Sequence, residues 1–344
     1  MRFGLFGGAQ ANSSAPGALP GQGFKDFVDL NVEAEALGYC SSFQVEHHFT
    51  GWNQISATLN LLTWVAAKTT TLRVGTAVMV LPWHNPVLLA EQAATLDLLS
   101  GGRLDFGIGK GYRYNEFKGF GVPMEEAEAR FEETLAVIIR AWTAAGRFSH
   151  QGRYWQFEDI VVEPPVAQKP HPPIWMAAGS PASIRRVAER GCNLMLDQFA
   201  APHVLGERIA LFKAEVEARG RVFRPTDVVV ARDVHIAKDK ADKLAALERN
   251  VKSRQRILAV ARDPSRPGGS HQLAYQHTPE ATEAVALYGS PDEVMERIEA
   301  LRAVGVHYVL ASFGASSRES LRRFAREVAP AFADGETEAA ASPR

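Results

Sequence analysis

The chain has little cysteine, almost no net charge and no long apolar run. Cys40 and Cys192 are the only two cysteines in 344 residues. Each stands within two residues of a glycine, at the start of an apolar stretch, which is a packing position. With no CxxC pair and no nearby histidine at ligand spacing, the pattern argues against a disulfide scaffold and a structural metal, and it fits a reducing compartment. A formal net charge of -1 gives no general electrostatic reason to bind nucleic acid or an anionic membrane, so a small-molecule partner is expected. No segment reaches the roughly 18 apolar residues of a membrane helix. Met1 to Phe6 gives way to a Gly/Ser/Pro-rich stretch too soon for a secretory signal, so the expected setting is the cytoplasm. What is present is 46% hydrophobic and 22% charged residues, the balance of a globular protein with a large core.

Several helical patterns end in glycine and are followed at once by a short apolar run. Leu37-Gly38 leads to Ser42-Phe43-Gln44-Val45, Arg190-Gly191 to Asn193-Leu194-Met195-Leu196, and Val304-Gly305 to His307 through Ala311. A glycine supplies the left-handed residue that closes a helix, and the run after it has the length and branching of a buried parallel strand. Phe3 to Phe6, Leu72 to Leu81, Leu104 to Ile108, Pro173 to Ala177 and Val228 to Ile236 bring the strand count to eight. Helices are predicted over Phe24 to Leu37, Ser56 to Lys68, Pro86 to Leu99 and Pro291 to Ala303, the last opening on a Ser290/Glu293 capping box. The fold class is therefore α/β, a (β/α)8 TIM barrel. Two stretches interrupt the rhythm and read as insertions after strands four and seven: 111–172, with its own helix near Glu126 to Trp142, and 238–289. Residues 1–330 are expected to form one barrel domain, and 331–344, small and polar, an unpacked tail.

Glu46-His47-His48-Phe49-Thr50 directly follows the second strand, at the C-terminal rim where barrel enzymes keep their catalytic groups. A rim histidine is also often a hydrogen-bonded loop residue. Neighbours on an extended chain point to opposite faces, so His47 and His48 are not expected to share a metal, and no metal site is expected. Asp105 to Tyr112 superficially suggests a dinucleotide-binding turn, but Tyr112 occupies the place of the third glycine. The glycines instead let a flat ligand or a phosphate approach the backbone, with Lys110 as a cation, or else Lys110 is a solvated surface lysine. Ala177-Ala178-Gly179-Ser180-Pro181-Ala182-Ser183 runs from a strand end into a helix start. Its free N–H groups and hydroxyls suit an anion, although Ser180 reads equally well as a plain N-cap. Lys110 and Ser180 follow consecutive strands, so one phosphate can touch both. Trp52, Trp83, His84, Tyr112 and Arg113 are candidate walls of a substrate pocket, with simple packing as the alternative.

Ordered motifs over roughly residues 1 to 200 resemble the bacterial-luciferase-like flavin-dependent monooxygenase family, most closely its luciferase alpha branch. They are Glu46 to Thr50, Val74-Gly75-Thr76-Ala77 with Val80-Leu81-Pro82, Asn85-Pro86-Val87, Ser100-Gly101-Gly102-Arg103 and Phe117-Lys118-Gly119-Phe120-Gly121. The resemblance implies a monooxygenase in which reduced FMN reacts with O2 to give a C4a-peroxyflavin that oxidises a small organic substrate. It makes His47 the catalytic histidine and puts Lys110 where the family usually has a phosphate-binding arginine, so that FMN is held either more loosely or more by Ser180 and Ser183. Gly109 stands where bacterial luciferase has a reactive cysteine. Ala77-Val78 falls where the family has a non-prolyl cis peptide beneath the isoalloxazine. The resemblance further implies an NAD(P)H-dependent flavin reductase as supplier of reduced FMN. It points to a homodimer through the helices Ser56 to Lys68 and Pro86 to Leu99, whose apolar residues cover more than one face. F420-dependent hydride transfer on the same fold and non-catalytic flavin binding are the rival readings.

Overall fold

The fold follows from eight apolar segments that each come back to the same sheet after a helical excursion. A computed structural model describes residues 1–12, 17–263, 271–276, 278–314 and 318–333. The strands are β1 (Arg2–Gly7), β2 (Ser41–Gln44), β3 (Arg73–Thr76), β4 (Leu104–Gly109), β5 (Ile174–Ala177), β6 (Asn193–Leu196), β7 (Val228–Ile236) and β8 (Tyr308–Ser312). Each pairs in parallel with the next, β8 pairs with β1, and the β7–β8 pairing closes the circle. Leu5 lies opposite Ser42 on one side and Ala311 on the other, and Val230 lies opposite Val309. The result is the closed (β/α)8 barrel that the rhythm predicts.

Alternation along the strands divides the apolar residues into two cores. Phe43, Trp175, Met195, Val229, Ala231, Tyr308 and Leu310 form an inner cluster contributed only by strands. Their neighbours, such as Val228, Val230 and Val309, belong to a larger outer cluster that also includes helix residues. The inner face needs small residues opposite large ones. A β-carbon at Gly75 would stand 2.5 Å from the Phe43 ring, so glycine is what lets that ring fill the barrel.

The helices are α1 (Gln22–Ala36), α2 (Thr58–Lys68), α3 (Pro86–Leu99), α4 (Tyr114–Phe120), α5 (Ala127–Thr143), α6 (Pro181–Glu189), α7 (Pro202–Glu217), α8 (Lys240–Ala261), α9 (Pro279–Val285), α10 (Pro291–Ala303) and α11 (Arg318–Arg323). Asn85 caps α3 by accepting from the N–H groups of Val87 and Leu88, and Ser290 and Glu293 form the expected capping box on α10. Gly38, Gly191 and Gly305 take the left-handed conformation just past their helices.

Four expectations need correction. The segment Leu72 to Leu81 is not one strand: β3 ends at Thr76, the Ala77–Val78 peptide is cis, and only Met79–Val80 resumes pairing, with the end of β4. The helix within 111–172 is not extra. Phe131, Leu135, Ile138 and Trp142 of α5 sit in the outer core, so α5 is the barrel helix between β4 and β5. The added parts are α4 and an antiparallel hairpin, Phe148–Gln151 with Gln156–Ile160. After β7, Val294, Ile298 and Leu301 likewise make α10 the barrel helix, leaving α8, α9 and a short strand, Leu287–Gly289 beside the end of β7, as the insertion. Finally, the expected unpacked tail begins too early, because Phe332 is buried and its carbonyl accepts from the Met1 amino group; residues 334–344 of that tail lie outside the described residues. Among the described residues no helix is long and apolar enough to cross a membrane.

Candidate functional site

The loops that leave the strand C-termini enclose a cavity of about 890 Å³. Gly7 ends β1 and Gly8 follows it, Ala77 and Val78 follow β3, and Asp233 to Ile236 end β7, each lining one side. The inserted α8 lies across the top with Ala246, Asn250, Arg254 and Ile257 facing inward. A void of this size is within the ~300–1,000 Å³ range of small-molecule and cofactor sites.

Two buried carboxylates divide the histidines between them. Glu46 Oε1 accepts from His48 Nε2 at 2.7 Å, His84 Nε2 at 2.8 Å and Trp83 Nε1 at 2.9 Å, and its Oε2 accepts the Val80 N–H at 2.9 Å. Burial alone would raise the Glu46 pKa, but hydrogen bonds from His48, His84 and Trp83 outweigh it and hold the carboxyl at about 2. His47 turns the other way. Its Nδ1 lies 3.0 Å from Glu116 Oε1, and its Nε2 lies 2.8 Å from Arg113 Nη2. A guanidinium has no acceptor, so Arg113 must donate to Nε2, and the ring proton must sit on Nδ1 and face Glu116. Burial lowers the His47 pKa, the Arg113 charge lowers it further, and Glu116 offsets part of that. His47 is therefore a neutral imidazole of one tautomer at the cavity wall. The expected opposition of His47 and His48 arises from these different partners, since neither residue lies in a strand.

Lys110 and Ser180 both reach the cavity, from adjacent strands as expected. Lys110 is exposed at the rim, and its Nζ donates to Glu128 Oε2 at 2.7 Å, so it is neither free nor buried. Ser180 is the N-cap of α6: its Oγ accepts the Ser183 N–H at 3.3 Å, and Ser183 Oγ accepts the Ser180 N–H at 3.1 Å. The capping role and a place on the cavity wall thus coexist, with Gly179 beside them. Gly109 packs under Val78, whose Cγ2 would be 2.6 Å from an added β-carbon.

The structure corrects part of the pocket-wall set. Tyr112 and Arg113 line the cavity, but Trp52, Trp83 and His84 do not. Trp83 and His84 turn toward Glu46, and Trp52 lies under Arg256, whose guanidinium is 4.2 Å from the ring centre. Sequence reasoning missed Glu116 and Arg186. Arg186 lines the same rim as Lys110 and also bonds Glu128. Its spacing of three from Ser183 places it on the same helix face, which is the signal that finds it. Glu116 sits three residues past Arg113, but nothing in the sequence ties it to a histidine 69 positions earlier.

Glu46→Gln puts an amide among donors that need an acceptor, so unfolding free energy at pH 7 should fall by about 2–4 kcal/mol. The Glu46 pKa is depressed on folding, so its contribution is complete above the unfolded value of 4.5 and is lost as pH falls toward 2. The gap between wild type and Glu46→Gln in urea unfolding should therefore narrow as pH falls from 4.5 toward about 2. A gap independent of pH would show that the carboxylate charge is not what matters.

Residues 1–308 match the family model described as luciferase-like monooxygenase. Identity is 28% to the flavin-dependent trigonelline monooxygenase, oxygenase component, of Acinetobacter baylyi, over 98% of this chain and 97% of that protein. It is 31% to the uncharacterized protein y4vJ of Sinorhizobium fredii, where the match spans 63% of this chain and only 62% of that protein. An F420-dependent glucose-6-phosphate dehydrogenase of Kineococcus radiotolerans is 29% identical over 69% of each chain. The crystal structure of the monooxygenase RslO1 from Streptomyces bottropensis superposes with a TM-score of 0.83 at 26% identity, covering 97% of this chain and all of that one. The resemblance in the first 200 residues thus extends through most of the barrel, and the chain belongs to the luciferase-like monooxygenase family.

Proposed function

We infer that this chain is the oxygenase of a two-component system, taking reduced FMN from an NAD(P)H-dependent flavin reductase and using O2 to oxidise a small organic substrate. The observation that carries the reading is His47, a neutral imidazole fixed in one tautomer on the wall of a cavity large enough for a flavin and a substrate. The residues present fit FMN. A β-carbon at Gly7 would meet no atom within 4 Å, so the floor there is open, and half-buried Ala77 and Val78 offer an apolar surface for a ring. The cations Lys110 and Arg186 stand at the rim beside Ser180 and Ser183, and these four would hold the phosphate. Reduced FMN, when bound, supplies electrons and activates O2 at its C4a carbon. The protein encloses that chemistry, and His47 takes or gives a proton at Nε2 while Glu116 fixes its ring.

With reduced FMN, a flavin reductase and heavy-isotope O2, a panel of aldehydes, ketones, terpenes and alkane sulfonates should yield a product carrying one labelled oxygen. Turnover of reduced F420 without label would replace oxygenation by hydride transfer. His47→Ala should lower label incorporation by roughly 10² to 10⁴ while reduced-FMN affinity stays within about a few-fold of wild type. His48→Ala, which removes a Glu46 partner, should cost stability more than rate.

Glu128 competes with a phosphate for Lys110 and Arg186. Lys110→Ala should weaken reduced FMN by about 1–3 kcal/mol with little change for riboflavin, and Glu128→Gln should tighten FMN alone. Equal effects on both flavins would place the phosphate elsewhere.

The proposed assembly is a homodimer through α2 and α3. Trp64, Leu88, Leu98 and Leu99 remain 39% to 64% exposed there, beyond the residues that meet the barrel. Light scattering at micromolar concentration should give a dimer, and Leu88→Glu with Leu98→Glu a monomer. A monomeric wild type would refute it.

A further inference from the structure

Arg113 is a buried cation with unfilled donors. Only 4% of its surface is exposed, and its Nε and Nη1 groups have no hydrogen-bond acceptor among the described residues. Glu116 Oε1 comes no nearer to Nη1 than 4.0 Å, because that oxygen is committed to His47 Nδ1 and the His48 N–H. Among the described residues the one hydrogen bond of the guanidinium is from Nη2 to His47 Nε2. Buried N–H donors of a cation are costly to leave unmade, so a residue kept this way at a cavity wall points to an acceptor that arrives from the cavity.

The planar guanidinium offers a carboxylate two two-point faces, Nε with Nη2 and Nη1 with Nη2. Both include Nη2, the nitrogen now held by His47. Nη2 carries two N–H groups, one toward each face, so a carboxylate competes with the imidazole when it takes the face whose N–H now rests on His47. While Nη2 is on His47, the Nε and Nη1 donors are shut from solvent and the only lone pair of His47 is capped.

We propose that Arg113 is the specificity residue for a substrate carboxylate, and that the carboxylate takes the face now shared with His47, drawing the guanidinium off Nε2 and uncovering the base only when such a substrate is bound. This rests on the oxygenase reading and adds to it a substrate class, small organic acids, and a latch against turnover without substrate. Lys110 and Arg186 do not serve this purpose: they share Glu128 near Ser180, whereas Arg113 bonds His47 just past β2.

The probe is benzoate, with benzamide as its neutral isostere, and the first readout needs no flavin. His47 ring-nitrogen shifts and its pKa are followed by NMR on the full chain. The charges facing the ring are Arg113, Glu116 and Glu46. Benzoate should raise the His47 pKa by about one unit and give Nε2 the shift of an uncapped nitrogen, and benzamide should not. In Arg113→Gln the pKa should already be raised, and benzoate should add nothing. Because the wild-type titration alone compares acid with amide, the inference survives even if that variant folds poorly. Equal responses to benzoate and benzamide, or none to either, would overturn it. In the complete system with reductase and labelled O2, Arg113→Lys should lose about 10²-fold in kcat/KM on a carboxylic-acid substrate, since lysine cannot fork. Labelled products arising only from neutral substrates would sink the carboxylate inference and leave the oxygenase standing. No labelled product from any substrate, together with an acid-specific His47 response, would sink the oxygenase and keep the Arg113 site.

Discussion

The Glu46 carboxylate, shut away from solvent, gathers donors that are far apart in the chain: two residues on at His48, and more than thirty on at Val80, Trp83 and His84. It thereby ties the rim of β2 to the segment that follows the Ala77–Val78 peptide. An ionised carboxylate in that place is stable only because every lone pair that faces the protein is used, and each bond to a charged group is worth about 1.5–3 kcal/mol net. The backbone that carries His47 and the backbone that carries Ala77 and Val78 are consequently positioned by one group. Glu116 repeats the device on the other side, receiving the His47 ring and the His48 N–H on a single oxygen. The adjacent histidines thus have fixed and opposite duties. His48 is a brace packed among Phe49, Trp83 and Phe120, and His47 is the one whose ring borders the cavity.

The same division by burial runs through the loop beyond β6. Arg232, fully buried in β7, donates to the carbonyls of Asp197 and Ala200, and burial pushes its pKa down to about 10. It remains charged at any physiological pH, so it is a permanent clamp on that loop. Asp197 in turn pairs with Arg208 at 2.9 Å. The strand ends that frame the cavity are held by internal charge pairs, and its top, α8, rests on a small cluster of Ala246, Leu247, Ala286 and Tyr288 together with Arg254 paired to Asp233 and Arg256 over Trp52. A roof with a separate, small core can open at less cost than the floor, because local opening follows the amount of apolar contact broken.

The barrel was readable from sequence because its signal is local. Gly38, Gly191 and Gly305 do adopt the left-handed conformation, and a strand begins within three residues of each, so punctuation and period together define the repeat. The break at Ala77–Val78 carries no such signal, and resemblance alone pointed to it. Assigning α5 to an insertion failed for a related reason. Its apolar stripe, Phe131, Leu135, Ile138 and Trp142, is plain in the sequence, but which surface it meets is decided by α3, a partner some forty residues away. Within the site, residues at strand ends were found by position, while Glu116 and the true direction of Trp83 and His84 depend on contacts between distant loops. Aromatic and histidine side chains near a cavity read as walls unless a buried carboxylate is known to claim them, and no sequence pattern announces that Glu46 faces inward.

Lysine and arginine at this rim are not interchangeable, and burial explains why. Lys110 is a point charge more than half exposed and already matched to Glu128, an arrangement worth about 1 kcal/mol or less and easily exchanged for a ligand phosphate. Arg113 is nearly inaccessible, and the same charge there interacts through a medium of lower effective dielectric, so its attraction for a carboxylate and its repulsion of a protonated His47 are both several times larger. The exposed cation suits a group that every catalytic cycle must bind and release. The buried one suits discrimination, because a ligand without an acceptor leaves its donors unmet and gains nothing by entering, while a carboxylate on the face shared with His47 also takes the N–H that now rests there. Recognition and the freeing of the base are then a single exchange of hydrogen bonds at Nη2, which is why they cannot be separated by altering Arg113 alone.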